Sequence, residues 1–402
     1  MAAIEQLDQQ PGISPQVLRC VQHHLELEGG YSIHYQPSYE DVGHLAEVVH
    51  RLHLIEGISK PTYINVLSSE LGALALGYIN NPIIISGGCN EEVTEHISAE
   101  AHALKAHKQL QIIESSDLLN PIQILRNRGQ NTKPRSDEYQ VLPDGRLVPS
   151  YMGDSINDKQ PHLRRPDPSR LELAVAQALA VEKAMISLSG GHIFSAHEAL
   201  NLVLEKSFKR RDIFSQKLYL LSTDLPWVGV RTNSSDGKHV EMLEDIENPV
   251  AIKIDHKTTP EDILALKDKL NPHDKPGKLM FMIRIGLDHS DRFEPIIRAI
   301  KDNAPDSLIV YDIHGSIRKL EDGTKLRIVS EINEEIELLA RVCRDLGLRL
   351  NGLHLETTTD EDRYECVDNV GDSPLHEGNV DPQLNPRQTL KVVNNAAASL
   401  NK

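Results

Sequence analysis

A basic loop is the part of the chain whose residue types suggest chemistry most directly. Four cationic side chains lie within ten residues, directly after the apolar run Ile122–Leu125: Arg126, Arg128, Lys133 and Arg135. Guanidinium and ammonium groups bind phosphate and carboxylate oxygens through charge-assisted hydrogen bonds. A run of this kind can also be a solvated surface. The residues assigned to an anion site here are Arg126, Lys133, Arg135 and Ser136.

Three further cations extend this hypothesis along the chain. Lys253 stands in Val-Ala-Ile-Lys-Ile, and Arg284 stands in Phe-Met-Ile-Arg-Ile-Gly. A charge inside an apolar strand is costly unless it is paired or reaches a ligand. Two such charges in successive strands favour a bound phosphate over two separate structural ion pairs. Arg231, close to the only tryptophan, Trp227, joins the set.

A metal site is the second hypothesis. Its candidate ligands are Cys89, His314, Glu356 and Asp381, each beside a turn or a helix breaker. A thiolate, an imidazole and two carboxylates form a mixed set that would hold Zn²⁺, Mn²⁺, Co²⁺ or Fe²⁺. Cys89 alone would also fit a small buried hydrophobe. His354 competes with His314, because strand alternation puts His354 and Glu356 on one face.

Composition limits the class of protein that carries these residues. The net charge of −16 and an aromatic content of 4% argue against nucleic-acid binding, so the basic loop favours small phosphorylated substrates. No apolar run has the length of a membrane span, and the N-terminus lacks the pattern of a signal peptide. The four cysteines are widely spaced rather than arranged as a disulfide framework, which predicts a reducing, cytoplasmic setting.

Short apolar runs must position the candidate residues. They alternate with helix-like stretches, as in a parallel sheet built from βαβ units. The predicted strands are Pro82–Ile85, Ile122–Leu125, Met185–Leu188, Leu218–Leu221, Val250–Ile254, Leu279–Ile285, Leu308–Tyr311 and Leu350–Leu355. Eight such units predict an α/β fold, a (β/α)₈ TIM barrel, in which the chemistry lies at the carboxyl ends of the strands.

The same pattern predicts how the chain is divided. Residues 1–80 form an N-terminal helical extension, and residues 81–395 form the catalytic barrel. A long loop excursion spans 130–168 and begins within the basic cluster, which favours a functional loop over a linker. The predicted helices are Glu92–Gln111, Arg170–Lys183, Ala196–Ser207, Pro260–Leu270, Arg292–Asn303 and Glu331–Leu346.

A series of motifs gives the chain a resemblance to a known family. The motifs, in chain order, are Gly-Gln-x-x-Lys-Pro-Arg-Ser at 129–136, Pro-Ser-Tyr at 149–151, His-Glu-Ala-Leu at 197–200, Trp-x-Gly-x-Arg-Thr at 227–232, Asn-Pro-His at 271–273, His-Gly at 314–315, Gly-Leu-His-Leu-Glu at 352–356 and Asp-Pro-x-Leu-Asn at 381–385. From about residue 80 to 392 the chain resembles the class II 3-deoxy-D-arabino-heptulosonate 7-phosphate (DAHP) synthases, especially the short forms of phenazine and related pathways.

The resemblance implies an activity and residue roles. The family condenses phosphoenolpyruvate with erythrose 4-phosphate at a divalent metal, in the first step of the shikimate pathway. By position, its metal ligands correspond to Cys89, His314, Glu356 and Asp381, which favours His314 over His354. Its phosphoenolpyruvate contacts correspond to Arg126, Arg231, Lys253 and Arg284, and its aldose-phosphate contacts to Lys133, Arg135 and Ser136. Glu198 is the candidate for positioning water. The family also suggests a homodimer or homotetramer.

Several positions depart from the family pattern. Val230 replaces a glutamate, His289 replaces a lysine, and Asp255-His256 replaces Gly-Pro. Gly88 stands where an acidic neighbour of the metal thiolate is usual. Groups around the ligands orient them and set their acidity. Two alternatives therefore stand beside the synthase: the same scaffold with another aldehyde acceptor, or a catalytically dead homologue that binds a metabolite.

Overall fold

Eight parallel strands form a closed barrel, so the predicted (β/α)₈ architecture is confirmed. The computed structural model describes Val17, Val21 and residues 36–87, 98–126, 139–142, 144–320, 324–362, 365–372 and 381–401. Each barrel strand pairs with its neighbours in chain order, and the last pairs with the first through Ile84 and Leu353. The strands are β1 Ile83–Ser86, β2 Ile122–Leu125, β3 Phe194–Glu198, β4 Leu225–Val228, β5 Val250–Ile254, β6 Leu279–Ile283, β7 Leu308–Asp312 and β8 Gly352–His354.

Helices precede the barrel and surround it. They are α1 Val42–His53, α2 Pro61–Ala75, α3 Ala99–Glu114, α4 Ser169–Ser189, α5 Leu202–Phe208, α6 Lys238–Leu243, α7 Pro260–Leu270, α8 Phe293–Asn303, α9 Val329–Asp345 and α10 Pro386–Leu400. Among the described residues, no helix is long and apolar enough to cross a membrane. Short 3₁₀ turns lie at Pro161–Leu163, Leu287–Arg292 and Ile313–Ser316.

Small sheets decorate the barrel. Tyr139–Val141 pairs with Leu147–Pro149, and Lys209–Arg211 pairs with Leu218–Leu220, both antiparallel. A three-stranded sheet joins Arg318–Lys319, Lys325–Ile328 and Cys366–Val367. The first hairpin falls inside the excursion between β2 and α4.

Two of the eight strand predictions are wrong. Met185–Leu188 belongs to the last turns of helix α4, and the third barrel strand follows it at Phe194–Glu198. Leu218–Leu221 contributes to the antiparallel pair outside the barrel, and the fourth barrel strand is Leu225–Val228.

Alternation along the strands separates an inner core from an outer one. Ile83 and Ile85 point into the barrel with Met280 and Met282, whereas Ile84 joins the outer cluster under the helices. Because successive strand residues face opposite sides, the next inward position after each apolar pair lies at the carboxyl-end mouth of the barrel.

Helix α2 closes the opposite, amino-terminal end of the barrel. Leu67, Leu71 and Leu74 pack in one cluster with the inward side chains of the strands. The helix comes close enough that a Cβ atom on Gly277, which has a φ of +69°, would lie 2.4 Å from the backbone of Leu71.

Truncating this plug should destabilise the whole barrel. Leu71 is fully buried, so Leu71→Ala should lower the free energy of unfolding by about 2–5 kcal/mol, from lost burial and the cavity left behind. Val66 lies on the same helix but is 51% exposed, so Val66→Ala should change the free energy of unfolding by less than about 0.5 kcal/mol. Urea unfolding of both variants tests this, and equal effects would show that α2 does not seal the core.

Candidate active site

A layer of polar side chains lines the barrel mouth. Arg126 follows the inward residues Ile122 and Ile124, and Lys253 is the inward successor of Ala251. By the same alternation Asp312, His354 and Glu356 face inward at the ends of β7 and β8. Asp312, His354 and Glu356 are completely buried, and Lys253 is 6% exposed. Charged groups of both signs are thus gathered where a barrel enzyme performs its chemistry.

Asp312 is the central carboxylate of this layer. Its Oδ2 lies 3.1 Å from Lys253 Nζ, and its Oδ1 lies 2.5 Å from His314 Nδ1. His354 Nδ1 is 3.2 Å from the same Oδ1, outside hydrogen-bond geometry. Burial alone would raise the pKa of Asp312, but the cationic neighbours, Lys253 first, hold it well below its usual range. Asp312 therefore stays ionised and fixes the orientation of the two groups it contacts.

Glu356 contacts both His314 and Arg126, the first arginine of the basic loop. His314 Nε2 lies 2.7 Å from Glu356 Oε1, and Arg126 Nη1 donates to the same oxygen. Burial would raise the pKa of Glu356, but Arg126 and His314 hold it well below its usual value. One carboxylate oxygen thus receives both an imidazole and a guanidinium.

Trp227 forms a face beneath the cations. Arg126 Cζ and Lys253 Nζ lie 5.3 and 5.4 Å from its ring centroid. Its own ring contacts His354 at 5.4 Å between centroids. Cations over an indole face are attracted to the ring quadrupole. Trp227 therefore holds the two cations in the mouth while presenting no competing anion.

Glu198 ends strand β3 at the rim of the same layer. Burial raises the pKa of its carboxyl group, although Lys253 and Arg126 act in the opposite direction. The side chain rests on Gly229, where an added Cβ atom would lie 2.4 Å from Glu198 Oε1. A half-buried carboxyl group with a raised pKa among cations suits proton transfer.

Filling the space beside Glu198 should impair catalysis. Gly229→Ala should push the carboxyl group away and lower kcat/KM about 100-fold, since small displacements of a reacting group are costly. Gly191→Ala is the matched control, because nothing lies within 4 Å of a Cβ atom there. Steady-state kinetics and thermal melting of both variants decide it. Equal activity of the two would remove Glu198 from the site.

The remaining predicted anion contacts differ in their settings. Arg284 directly follows β6, is half-buried, and its Nε donates to the carbonyl oxygen of His314 at 3.3 Å. Arg231 lies in the turn after β4, and its side chain is exposed rather than buried in the layer. The structure thus brings Arg284 into contact with the backbone of His314, whereas Arg231 lies at the exposed rim.

Asp381 approaches the layer from the C-terminal part of the chain. Leu384 pairs in parallel with Thr357, and its backbone N–H donates to the carbonyl oxygen of Glu356 at 2.9 Å. Asp381 Oδ1 receives Lys325 Nζ at 2.6 Å. Burial would raise the pKa of Asp381, but Arg327 and His314 keep it below its usual value.

Four predicted site residues lie outside the described part of the chain: Cys89, Lys133, Arg135 and Ser136. The described chain ends two residues before Cys89, at Gly87, whose backbone N–H donates to Thr357 Oγ1 at 3.0 Å. The carboxyl end of β1 is therefore bonded to the residue that follows Glu356.

Two sets of possible metal ligands lie among the described residues, and the second of them has three ligand atoms close enough together to share one ion. The predicted set contributes His314, Glu356 and Asp381, with an imidazole nitrogen and a carboxylate oxygen already 2.7 Å apart. A second set, Asp312, His314 and His354, has ligand atoms within 4.8 Å of one another. Both ring nitrogens of His354 are buried and have no hydrogen-bond partner among the described side chains and backbone, and burial lowers its pKa to about 3. Neutral imidazole and ionised carboxylate are the forms that bind a metal.

Sequence reasoning did not assign a role to Asp312, although the structure makes it central. The signal was present, since Leu308, Val310 and Asp312 share the inward face of β7. Trp227, also outside the predicted site, meets two of its cations.

The fold and this layer are those of a (β/α)₈ barrel with cationic side chains and a group of possible metal ligands at its mouth. The family model described as "Class-II DAHP synthetase family" matches residues 28–191 and 172–397. The chain therefore belongs to the class II DAHP synthetase family.

Relatives of this chain agree. A "Probable phospho-2-dehydro-3-deoxyheptonate aldolase" of Pseudomonas fluorescens is 30% identical over 89% of this chain and 93% of its own length. A phospho-2-dehydro-3-deoxyheptonate aldolase of Streptomyces coelicolor is 27% identical over the same shares. The solved structure of such an aldolase from Francisella tularensis SCHU S4, 15% identical, shares the fold with a TM-score of 0.50, covering 88% of this chain and 95% of its own.

Membership of this family fixes the class of reaction. The chain is a carbon–carbon bond-forming enzyme that condenses phosphoenolpyruvate with erythrose 4-phosphate, giving DAHP and phosphate. Enzymes of the family depend on a divalent metal.

Proposed function

We propose that the polar layer at the barrel mouth is the site of this condensation and that its cations bind phosphoenolpyruvate. Arg126, Lys253 and Arg284 would hold the phosphate and carboxylate groups, with Arg231 reaching in from the rim. The observation that carries the proposal is the position of Lys253, buried between Asp312 and the face of Trp227 at the inward end of β5. The ammonium group of Lys253 can therefore bind an anionic group of a substrate that enters the barrel mouth.

The acceptor's phosphate is assigned to Lys133, Arg135 and Ser136. The support is connectivity, since Arg126 ends β2 inside the layer and the chain continues directly into this basic segment. Holding two anionic substrates side by side requires cations at both ends of the site. Lys133 is in addition proposed as a catalytic residue, close to the acceptor.

The metal ligands are proposed to be Cys89, His314, Glu356 and Asp381. Two hydrogen bonds support this choice: the one from Gly87 to Thr357 and the one from Leu384 to Glu356. Cys89 follows Gly87 by two residues, and Asp381 precedes Leu384 by three, so both candidate ligands are close in sequence to residues bonded at Glu356 or beside it. When bound, Mn²⁺, Co²⁺, Zn²⁺ or Fe²⁺ would supply Lewis acidity for the acceptor's aldehyde group. The set Asp312, His314 and His354 is the competing assignment.

The protein's own side chains would organise the reaction. Carbon 3 of phosphoenolpyruvate attacks the aldehyde carbon and forms the new carbon–carbon bond, while the carbonyl π pair moves to the aldehyde oxygen, which is protonated to the new hydroxyl group at the expense of the water that adds next. Water adds at carbon 2, and the carbon–oxygen bond to phosphate then breaks. Glu198, whose pKa is raised by burial, is proposed to orient that water and accept its proton. Arg126, Lys253 and Arg284 keep the departing phosphate neutralised.

A coupled assay tests this proposal. The protein is incubated with phosphoenolpyruvate, erythrose 4-phosphate and Mn²⁺ or Co²⁺, while enolpyruvate absorbance and phosphate release are followed. We expect one phosphate released for each phosphoenolpyruvate lost. No loss with any of the metals would reject the assignment.

One observation favours a second acceptor. His256 and His289, both at positions that depart from the family pattern, stack at 3.8 Å between ring centroids beside the mouth. A pair of imidazoles would recognise an acceptor differently from the lysine usual there. A screen of aldose phosphates in the same assay, with turnover only for another aldehyde, would favour that reading.

We propose a homo-oligomer built through the N-terminal segment, in a cytoplasmic setting. Three large hydrophobic side chains are exposed directly after α1 and α2: Leu54, Leu76 and Tyr78. Exposed apolar surface of this kind marks interfaces. Light scattering at two concentrations measures the mass of the particle.

The domain division is also proposed: a helical extension at 1–80 and a catalytic barrel at 81–395, with a loop excursion at 130–168.

A further inference from the structure

Glu335 is a buried carboxylate on helix α9 that no step of the reaction uses. It is completely buried, on a helix whose other buried residues, such as Ile332 and Ile336, belong to the apolar core. An apolar side chain would pack there without the cost of burying a carboxylate, which requires compensating hydrogen bonds. Its contacts therefore indicate what it does.

The carboxylate bridges two loops at the barrel mouth. Its Oε1 accepts a hydrogen bond from the backbone N–H of Gly286 at 2.9 Å. Its Oε2 accepts one from Ser316 Oγ at 2.7 Å and one from Tyr311 OH at 3.2 Å. Gly286 follows Arg284 by two residues, and Ser316 follows His314 by two residues.

The two bridged loops are also in direct contact. A Cβ atom on Gly315 would lie 2.7 Å from the backbone nitrogen of Gly286, which itself has a φ of +87°. Arg284 Nε donates to the carbonyl oxygen of His314 across the same junction. Any shift of one loop must therefore move the other, and Glu335 holds both to the rigid helix.

We infer that Glu335 is a positioning residue that couples the phosphate-binding Arg284 to the metal-binding His314. The inference rests on the roles proposed above for these two side chains. Groups that hydrogen-bond metal ligands typically change metal affinity 10–100-fold when they are removed, and Glu335 acts one step further out, on the loops that carry the ligands. Loss of the bridge should therefore weaken the binding of both Mn²⁺ and phosphoenolpyruvate, although Glu335 contacts neither His314 nor Arg284 through their side chains.

Two substitutions at this position separate bridging from packing. Glu335→Gln keeps an oxygen that accepts from the backbone N–H of Gly286. Its amide NH₂ group can donate hydrogen bonds to the hydroxyl oxygens of Ser316 and Tyr311. Glu335→Met keeps the length but replaces both carboxylate oxygens with a thioether, which is at most a weak acceptor. Leu339→Ala, on the same helix and fully buried, is the control that destabilises the core without touching the bridge.

Binding is measured without turnover. Titration calorimetry gives the Kd for Mn²⁺, and fluorescence of Trp227, the only tryptophan, gives the Kd for phosphoenolpyruvate. We expect Glu335→Met to raise both constants about tenfold or more, and Glu335→Gln to stay within about threefold of the wild type. Leu339→Ala should lower the Tm while leaving both constants unchanged.

Unchanged constants in Glu335→Met, or equal changes in Leu339→Ala, would overturn the inference. If Glu335→Met does not fold, Ser316→Ala removes one bridging donor and should raise the Kd for Mn²⁺ several-fold, and no change there also overturns it. A wild-type protein that binds Mn²⁺ and phosphoenolpyruvate but is insensitive at Glu335 refutes only the coupling. A wild-type protein that binds neither refutes the proposed site.

Discussion

Lys253→Met is expected to lower kcat/KM for phosphoenolpyruvate about 10²–10³-fold, the usual cost of losing one preorganised cation or donor at a developing charge. The side chain is long enough to fill the same space, but it cannot neutralise the substrate's anionic groups. Lys253 Nζ also lies 3.1 Å from Asp312 Oδ2, so the substitution has a second effect.

That second effect is on stability. Removing one partner of a buried ion pair typically costs about 3–5 kcal/mol, because the other charge is left uncompensated. Lys253→Met should therefore lower the free energy of unfolding, whereas the double variant Lys253→Met with Asp312→Asn should recover most of it. Activity should stay low in both, which separates the fold from the function.

Lys238→Met is the matched control. Lys238 pairs with Glu241 on the surface, where both side chains are about half exposed. Exposed pairs contribute little, so stability and kinetics should match the wild type. Near-normal activity in the Lys253→Met, Asp312→Asn double variant would show that Lys253 serves the fold and does not bind substrate.

Replacing the metal-ligand candidates should have the second large effect. His314→Ala is expected to abolish stoichiometric metal binding and lower kcat roughly 10³-fold, since a Lewis acid contributes several kcal/mol. Glu356→Gln should do the same, because it removes the charge that lies 2.7 Å from His314 Nε2. Metal analysis after dialysis and steady-state kinetics give both readouts.

His354→Asn separates the two candidate donor sets. If the ligands are His314, Glu356 and Asp381, the variant should retain its metal and most of its activity. Loss of metal in His354→Asn, with retention in Asp381→Asn, would instead assign the ion to Asp312, His314 and His354.

Most of the barrel could be predicted because its strands are buried on both faces. Val250–Ile254 and Leu279–Ile283 are buried throughout, which leaves two apolar runs in the sequence, interrupted only by Lys253. Helix α7 was equally predictable at Pro260–Leu270, since Thr259 and Asp262 form a capping box in front of its apolar face.

The two wrong strands have physical reasons. Met185–Leu188 is a short apolar run at the end of a long helix, and periodicity cannot distinguish such a run from a strand. The true strand is Phe194–Glu198. It contains Ser195, which is hydrogen-bonded to Asp224, and His197, which is hydrogen-bonded to Glu205. Its polar composition hides it.

The fourth strand was hidden by a proline. Leu225–Val228 contains Pro226, a residue that argues against a central strand because it cannot donate to the sheet. The neighbouring run at Leu218–Leu220 has the stronger strand pattern, yet it pairs only with Lys209–Arg211. Tertiary closure of the barrel outweighs the local preference.

The candidate site was predictable wherever a charge interrupted an apolar run. Lys253 and Arg284 stood out for that reason, and the family resemblance favours His314 over His354 as the metal ligand. Glu335 could not be found in this way, because its partners Gly286, Tyr311 and Ser316 are brought to it only by the packing of α9.

A crystal structure determined with phosphoenolpyruvate and Mn²⁺ tests the central claim most directly. The predicted result is an anomalous manganese peak bounded by His314, Glu356 and Asp381, with the substrate's phosphate against Arg126, Lys253 and Arg284. Manganese held instead by Asp312 and His354, or a phosphate bound away from Lys253, would contradict it.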